Sequence, residues 1–267
     1  MINILGIDAA WTAKEPSGVA LIQAGVDRQR VLAVAPSYES FIRLGEGLPV
    51  DWAGPTIIGS APNMHELLEA AKALGATEVH SIALDIPLAR GGITGRRASD
   101  SAISKAFGGK GCAAHSPSET RPGPIADSIL HELVEKGYSL DTGGSSADTE
   151  KSVLEVYPHP ALLSLLNCDY RVPYKVAKSG KYWKGESVSV RIGNLLRQFS
   201  DIYAALQDEL GRLPFELPAP ESVRSLSQLK RVEDALDAVV CAWVGYRHSL
   251  GRTRAYGDSD SAIWVPV

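Results

Sequence analysis

The feature that most constrains this chain is a helical run with no polar face, entered through two aspartates. Ala238 to Tyr246 reads AVVCAWVGY, apolar or small on every side, which predicts a helix buried all round. Asp234 and Asp237 stand just before it. At 100° per residue they lie about 60° apart on one side of that helix. An isolated buried carboxylate is very costly, so this pair needs a cation, a hydrogen-bonding network or a proton. Two further aspartates end apolar, strand-like runs: Asp8 after INILGI and Asp85 after SIAL. Acids at strand ends facing acids on a helix are a way of building a divalent-metal site.

Each acid also has a plain structural reading. Asp8 and Asp85 can bond turn backbone, and Pro87 makes a turn after Asp85 natural. The helix pair can be favourable charge near a helix N-terminus, worth at most about 1 kcal/mol. That explains acids in a first turn better than an aspartate followed at once by a long uncharged stretch.

At 267 residues the chain suits one large domain spanning 1–267, with an insertion. A composition of 45% hydrophobic and 22% charged residues is that of a globular protein with ample core. The net charge of −4 argues against a generally basic nucleic-acid coat but leaves room for a local basic groove. Cys112, Cys168 and Cys241 show no paired spacing, which fits a reduced, cytoplasmic setting. Cys112 and His115 form a lone C-x-x-H without a second pair. Asp8 interrupts the first apolar stretch too early for a secretory signal, and no run reaches the roughly 20 apolar residues that span a bilayer, so no membrane association is expected.

INILGI, GVALIQ and VLAVAP predict three strands within residues 2–35, with Ala24-Gly25-Val26-Asp27 as a hairpin turn. Periodicity predicts a helix over Met64 to Leu74 ended by Gly75, then a strand from Val79 to Ile86. Residues 88–124, rich in Gly, Ser, Pro and Arg, read as an irregular insertion or lid with a short helix around Ala98 to Phe107. A helix over Ile125 to Lys136, a polar loop over 141–148 and a strand from Ser152 to Tyr157 follow. A long amphipathic helix starts near Glu186, with Val188, Ile192, Leu195, Leu196, Phe199, Ile202 and Leu206 as its core stripe. Residues 214–224 are a connector, and the last helix covers Leu229 to His248. This order is an α/β arrangement: a mixed five-stranded sheet flanked by helices, with the insertion after the fourth strand. Gly-x-Gly-x-x-Gly and P-loop phosphate motifs are both absent from the sequence.

The order and position of these elements resemble the ribonuclease H-like superfamily, and D-x-x-D in EDALDA resembles the helix pair of its Holliday-junction resolvase branch. The likeness is closest to an uncharacterised domain-of-unknown-function family of predicted nucleases. It is carried by GIDAAWT with SGVAL, ALDIP, GRRASD, LEVYPHP, PYK and EDALDAVVCA. The resemblance implies that Asp8, Asp85, Asp234 and Asp237 hold one or two Mg²⁺ or Mn²⁺ ions, and that the protein hydrolyses phosphodiester bonds in nucleic acid. Glu155 reads as a further ligand, a partner to one, or the ion-pair partner of Arg97.

From Arg171 to Arg191 the chain carries Arg171, Lys175, Lys178, Lys181, Lys184 and Arg191 against one acid, Glu186, with the aromatics Tyr170, Tyr174, Tyr182 and Trp183 interleaved. That pattern is either a solvated charged loop or a single-strand groove that joins phosphate contacts to base stacking. Arg97, Lys175 and Arg191 are the candidate substrate contacts, with Arg90, Arg96, Arg97, Lys105 and Lys110 of the insertion as an opposite wall. His159 is either a proton-transfer group or a packed histidine. Two rival readings stand: an actin-like or sugar-kinase-type phosphotransferase, and a non-catalytic binding module on the same fold. The first would want glycine-rich turns at both strand-end acids, whereas Asp85 is followed by Ile86 and Pro87.

Overall fold

The first three strands form an antiparallel meander, and everything that positions the acids is built outward from it. A computed structural model describes residues 1–25, 28–54, 57–144 and 151–267. In it β1 (Ile2–Asp8), β2 (Gly18–Ala24) and β3 (Gln29–Ala35) pair in sequence. Of the expected hairpin turn, Val26 and Asp27 lie outside the described residues. Two helices follow, α1 (Tyr38–Gly45) and α2 (Met64–Ala73), capped by the Ser37 hydroxyl and the Asn63 side-chain oxygen. The chain then returns as β4 (Ser81–Leu84), parallel to β1.

The stretch after β4 contains α3 (Ala98–Phe107), as its weak periodicity predicts, and leads into α4 (Gly123–Glu135). A two-residue β5 (Ser139–Leu140) and then β6 (Ser152–Val156) join the sheet in parallel. Of the expected polar loop, residues 145–148 lie outside the described residues. Pro158 does not merely stop β6; it opens α5 (Pro158–Leu165), where a missing N–H costs nothing. The short α6 (Ser179–Tyr182), the long α7 (Val188–Leu210) and α8 (Leu226–Ser249) precede a closing hairpin, β7 (Thr253–Gly257) and β8 (Ala262–Pro266).

The strand order is β3-β2-β1-β4-β6-β8-β7, with β5 beside β6. The expected five-stranded sheet is therefore corrected to eight strands among the described residues. The additions are β5, too short to show an alternation, and the terminal hairpin. There AIWVP is a continuous apolar run, which periodicity alone does not assign to strand.

Helices cover both faces. Alternate residues of β1 divide between two cores: Ile4 packs with α7 and α8, while Leu5 and Ile7 pack with α1, α2 and α4. Nearly every side chain of α8 from Leu229 to Gly245 is buried, as the AVVCAWVGY run predicts. Among the described residues no helix is long and apolar enough to cross a membrane.

Candidate functional site

Glycines decide how closely α8 lies on the sheet. A Cβ on Gly6 would stand 2.3 Å from the Ala238 carbonyl oxygen, and one on Gly18 would stand 2.0 Å from that of Asp234. Backbone meets backbone at both points, so only glycine fits. A Cβ on Gly245 would in turn meet Ile4 at 2.7 Å. The helix therefore runs down one face of β1, passing Ile4 and then Gly6. By the two-residue period of a strand, the next side chain on that face is Asp8.

The same parity places Asp85. Gly6 pairs with Ala83 in the β1–β4 register, and Ala83 belongs to the core under α8 while Ile82 and Leu84 belong to the other. Two residues beyond Ala83, Asp85 leaves β4 on the α8 side, its N–H donating to the Ile7 carbonyl at 2.9 Å. Asp8 and Asp85 thus end two adjacent parallel strands, and α8, about two to three turns in from Leu226, brings Glu233, Asp234 and Asp237 to them.

The cluster has two halves. The helix acids are buried, with Asp234 at 1% and Asp237 at 0% exposure, and are tied by donors. Asp237 accepts from the Tyr174 hydroxyl at 2.6 Å and from Lys175 Nζ at 2.5 Å. Glu233 accepts from the Val176 N–H at 2.5 Å and from Lys230 Nζ at 3.1 Å, with Lys175 Nζ 3.6 Å away. Lys230 also bonds Asp234 Oδ1, while Asp234 Oδ2 is buried with no hydrogen-bond partner. The strand acids differ. Asp8 and Asp85 are partly exposed, and among the described residues neither carboxylate makes a hydrogen bond or ion pair.

The charges feel one another. Burial first, then the charge of Asp8, pushes the Asp85 carboxyl well above its usual range. Burial also raises Asp234 well up, against the pull of Lys230 and with Asp8 adding to it. Asp237 is pushed up to about 6 by burial, with Lys175 opposing and Asp8 reinforcing the rise. Burial alone would lower the Lys175 ammonium, but Asp237, Tyr174 and Glu233 outweigh it and hold the amine charged.

Glu155 does not join this cluster. Leu154 and Val156 face the core under α8, so Glu155 points to the opposite side of the sheet. There it meets Arg97 at 2.5 and 2.7 Å, and Arg97 also holds Asp100 at 2.7 and 3.2 Å and the Leu88 carbonyl at 2.7 Å. Of the readings open for Glu155, the ion pair is the one present. Arg97 is 8% exposed with its donors taken up, so it braces the insertion against β6 instead of presenting itself to a substrate. Burial raises Glu155 to about 7 even against Arg97.

Lys175, expected as a substrate contact, lies within the acid cluster. From it the chain leads back to Arg171 and a cleft of about 550 Å³ lined by His115, Arg171, Lys178, Lys181, Tyr182 and Trp183 among others. Tyr174 is fully buried and not a stacking surface. Arg171 Nη2 lies 2.6 Å from His159 Nε2. Burial and the nearby cations Lys175 and Arg171 hold His159 well below its usual pKa, so it is neutral and accepts from Arg171. Arg191 packs over Gly180, its Nη1 3.0 Å from where a Cβ would stand. Arg96 is bound to Ser101, Ser104 and Ser116, and Arg90 to the Leu140 carbonyl, and among the described residues lining the cleft the insertion contributes Gly111 and His115 in place of the expected Arg90, Arg96, Lys105 and Lys110.

Sequence reasoning missed Glu233, Lys230 and Tyr174 as members of the centre. Lys230 was visible as a cation three and four residues before Glu233 and Asp234, a helix pairing distance. Nothing in the local sequence tells that Tyr174 is buried.

Among the described residues no three His, Cys, Asp or Glu side chains close around a single point as a ready-made metal cage. The open carboxylates of Asp8 and Asp85 nevertheless suit Mg²⁺, which keeps several waters and binds through one or two carboxylates. The unpartnered Asp234 oxygen supplies a further acceptor close by.

No curated protein and no solved structure matches the chain. A family model does, over residues 6–261, and that stretch contains all of these acids. The chain belongs to the family described as protein of unknown function, DUF429.

Proposed function

We propose that this protein is a metal-dependent phosphodiester hydrolase acting on nucleic acid, built on a ribonuclease H-like fold. The fold reading rests on the opening meander followed by parallel β4 and β6, with α8 laid across β1. The functional reading rests on one observation: Asp8 and Asp85, open and unpartnered, end adjacent parallel strands opposite the acids of α8. Ligands of open α/β sheets bind outside the carboxyl ends of the strands, where these residues are.

Asp8 and Asp85 would hold the Mg²⁺ or Mn²⁺, which when bound supplies an activated water and neutralises charge on the phosphate. The other residues have separable tasks. Tyr174 and Lys175 fix the Asp237 carboxylate from two sides, so its orientation does not depend on substrate. The Lys175 ammonium is a fixed positive charge beside the centre, able to stabilise charge that develops on the scissile group. The cationic, aromatic cleft supplies phosphate contacts through Lys178, Lys181 and Arg171 and a stacking face through Trp183. Lys175 is four residue steps on from Arg171, at most about 14 Å of chain, so a strand in the cleft reaches the acids within a few nucleotides.

The test is hydrolysis of labelled single- and double-stranded DNA and RNA with Mg²⁺ or Mn²⁺. Cleavage that disappears with chelator, with Asp8→Asn and with Asp85→Asn supports the proposal. Cleavage unaffected by either substitution rules it out, and none on any substrate leaves the binding-module reading as the better one.

A further inference from the structure

Both lysines of the centre are spent on the same half of it. Lys175 and Lys230 bind Glu233, Asp234 and Asp237, and neither bonds Asp8 or Asp85. The helix half thus carries its own cations, and the strand half has none. Counting the whole cluster, five carboxylates face two ammoniums, an excess of three negative charges when all are ionised. One divalent ion brings that excess to one. A second would leave the protein's own centre positive before any phosphate arrives.

We infer that the centre takes a single divalent cation, held at the strand ends by Asp8 and Asp85, and that the Lys175 ammonium fills the seat a second cation would otherwise occupy. This rests on the metal-dependent reading above and narrows it from one or two ions to one. Three observations carry it. Lys175 Nζ touches Asp237 Oδ2 at 2.5 Å, which leaves no room between them for an ion. The other Asp237 oxygen is taken by the Tyr174 hydroxyl. Glu233, the remaining acid within reach of Lys175, has both oxygens engaged by Val176 and Lys230. Glu233 and Asp237 are therefore committed and cannot ligate a second ion, whereas Asp8, Asp85 and the free Oδ2 of Asp234 remain available to the first. Lysine is suited to this place: a compact point charge with three donors, held charged by the acids around it.

The experiment is Mn²⁺ titration of the whole protein, followed by calorimetry and by the loss of the free-ion EPR signal, without substrate. The wild type should bind one Mn²⁺ per chain, and Lys175→Arg should do the same. Lys175→Gln should bind a second ion, or bind the first roughly tenfold more tightly or better, a decade corresponding to about 1.4 kcal/mol. If Lys175→Gln fails to fold because Asp237 is left uncompensated, Lys175→Gln with Asp237→Asn removes both charges and should still bind one ion. Two ions in the wild type overturn the inference while leaving the metal-dependent reading intact. Unchanged stoichiometry and affinity in Lys175→Gln also overturn it, as does loss of binding in the double variant. No Mn²⁺ binding by the wild type overturns both.

Discussion

Replacing Arg97 by methionine separates a bracing role from a substrate contact. In the folded protein its guanidinium makes four hydrogen bonds to Glu155 and Asp100 and a fifth to the Leu88 carbonyl. Glu155 and Asp100 are 3% and 1% exposed, so removing Arg97 leaves two buried carboxylates without a counter-charge. Breaking such an arrangement from one side costs about 3–5 kcal/mol. For a chain of this size each kcal/mol moves Tm by about 2–4 °C, so Arg97→Met should melt about 6–20 °C lower at pH 7. The loss should depend on pH with a definite sign. Glu155 has a folded pKa near 7, above its unfolded value, so the stability it contributes is complete below about 4.3 and is lost as pH rises through 7. Without Arg97 the Glu155 carboxyl is pushed further up and the decline continues to higher pH, so the Tm gap between variant and wild type should widen from pH 5 to pH 8. Adding Glu155→Gln should recover part of it. Differential scanning calorimetry across that range measures all of this. A Tm change below about 2 °C at pH 7, with weakened substrate binding, would refute the bracing account and return Arg97 to the substrate.

Gly18→Ala forces a Cβ to 2.0 Å from the Asp234 carbonyl and should cost at least about 1–3 kcal/mol in chemical denaturation. Gly193→Ala, in α7 with nothing within 4 Å of its Cβ, should instead stabilise by about 0.5–1 kcal/mol; equal effects would undo the close-approach argument. Mn²⁺ at a hundredfold excess over Kd should stabilise the wild type by about 2.7 kcal/mol in thermal melts, and Asp8→Asn should abolish the gain. An undiminished gain would place the metal elsewhere. Lys178→Gln with Lys181→Gln should reduce the log–log salt slope of single-strand binding by about 1.4, since each lost phosphate contact removes about 0.7. An unchanged slope would make the cleft a solvated surface.

The meander, β4, the long helices and the buried run of α8 were legible because each shows its period within a few turns or strand residues. Asp8 and Asp85 were legible for a related reason, as single acids ending unbroken apolar runs. Glu155 shows what the same rule can still deliver. It alternates with Leu154 and Val156, so its side of the sheet follows from which neighbours pack under α8, and that pairing is long-range. Lys175 looked like one cation among many in a basic stretch. Its pairing with Asp237, 62 residues away, is a fact of tertiary structure. The closing hairpin was missed because its apolar strand lacks a solvent face to give the alternation away.

A crystal soaked in Mn²⁺ and read by anomalous scattering tests the central claim most directly. The account predicts one peak about 2.0–2.3 Å from oxygens of both Asp8 and Asp85, with Lys175 still on Asp237. Two peaks about 4 Å apart would keep a metal centre but remove Lys175 from its assigned seat. No peak at the strand ends in a protein whose acids are intact would contradict the account.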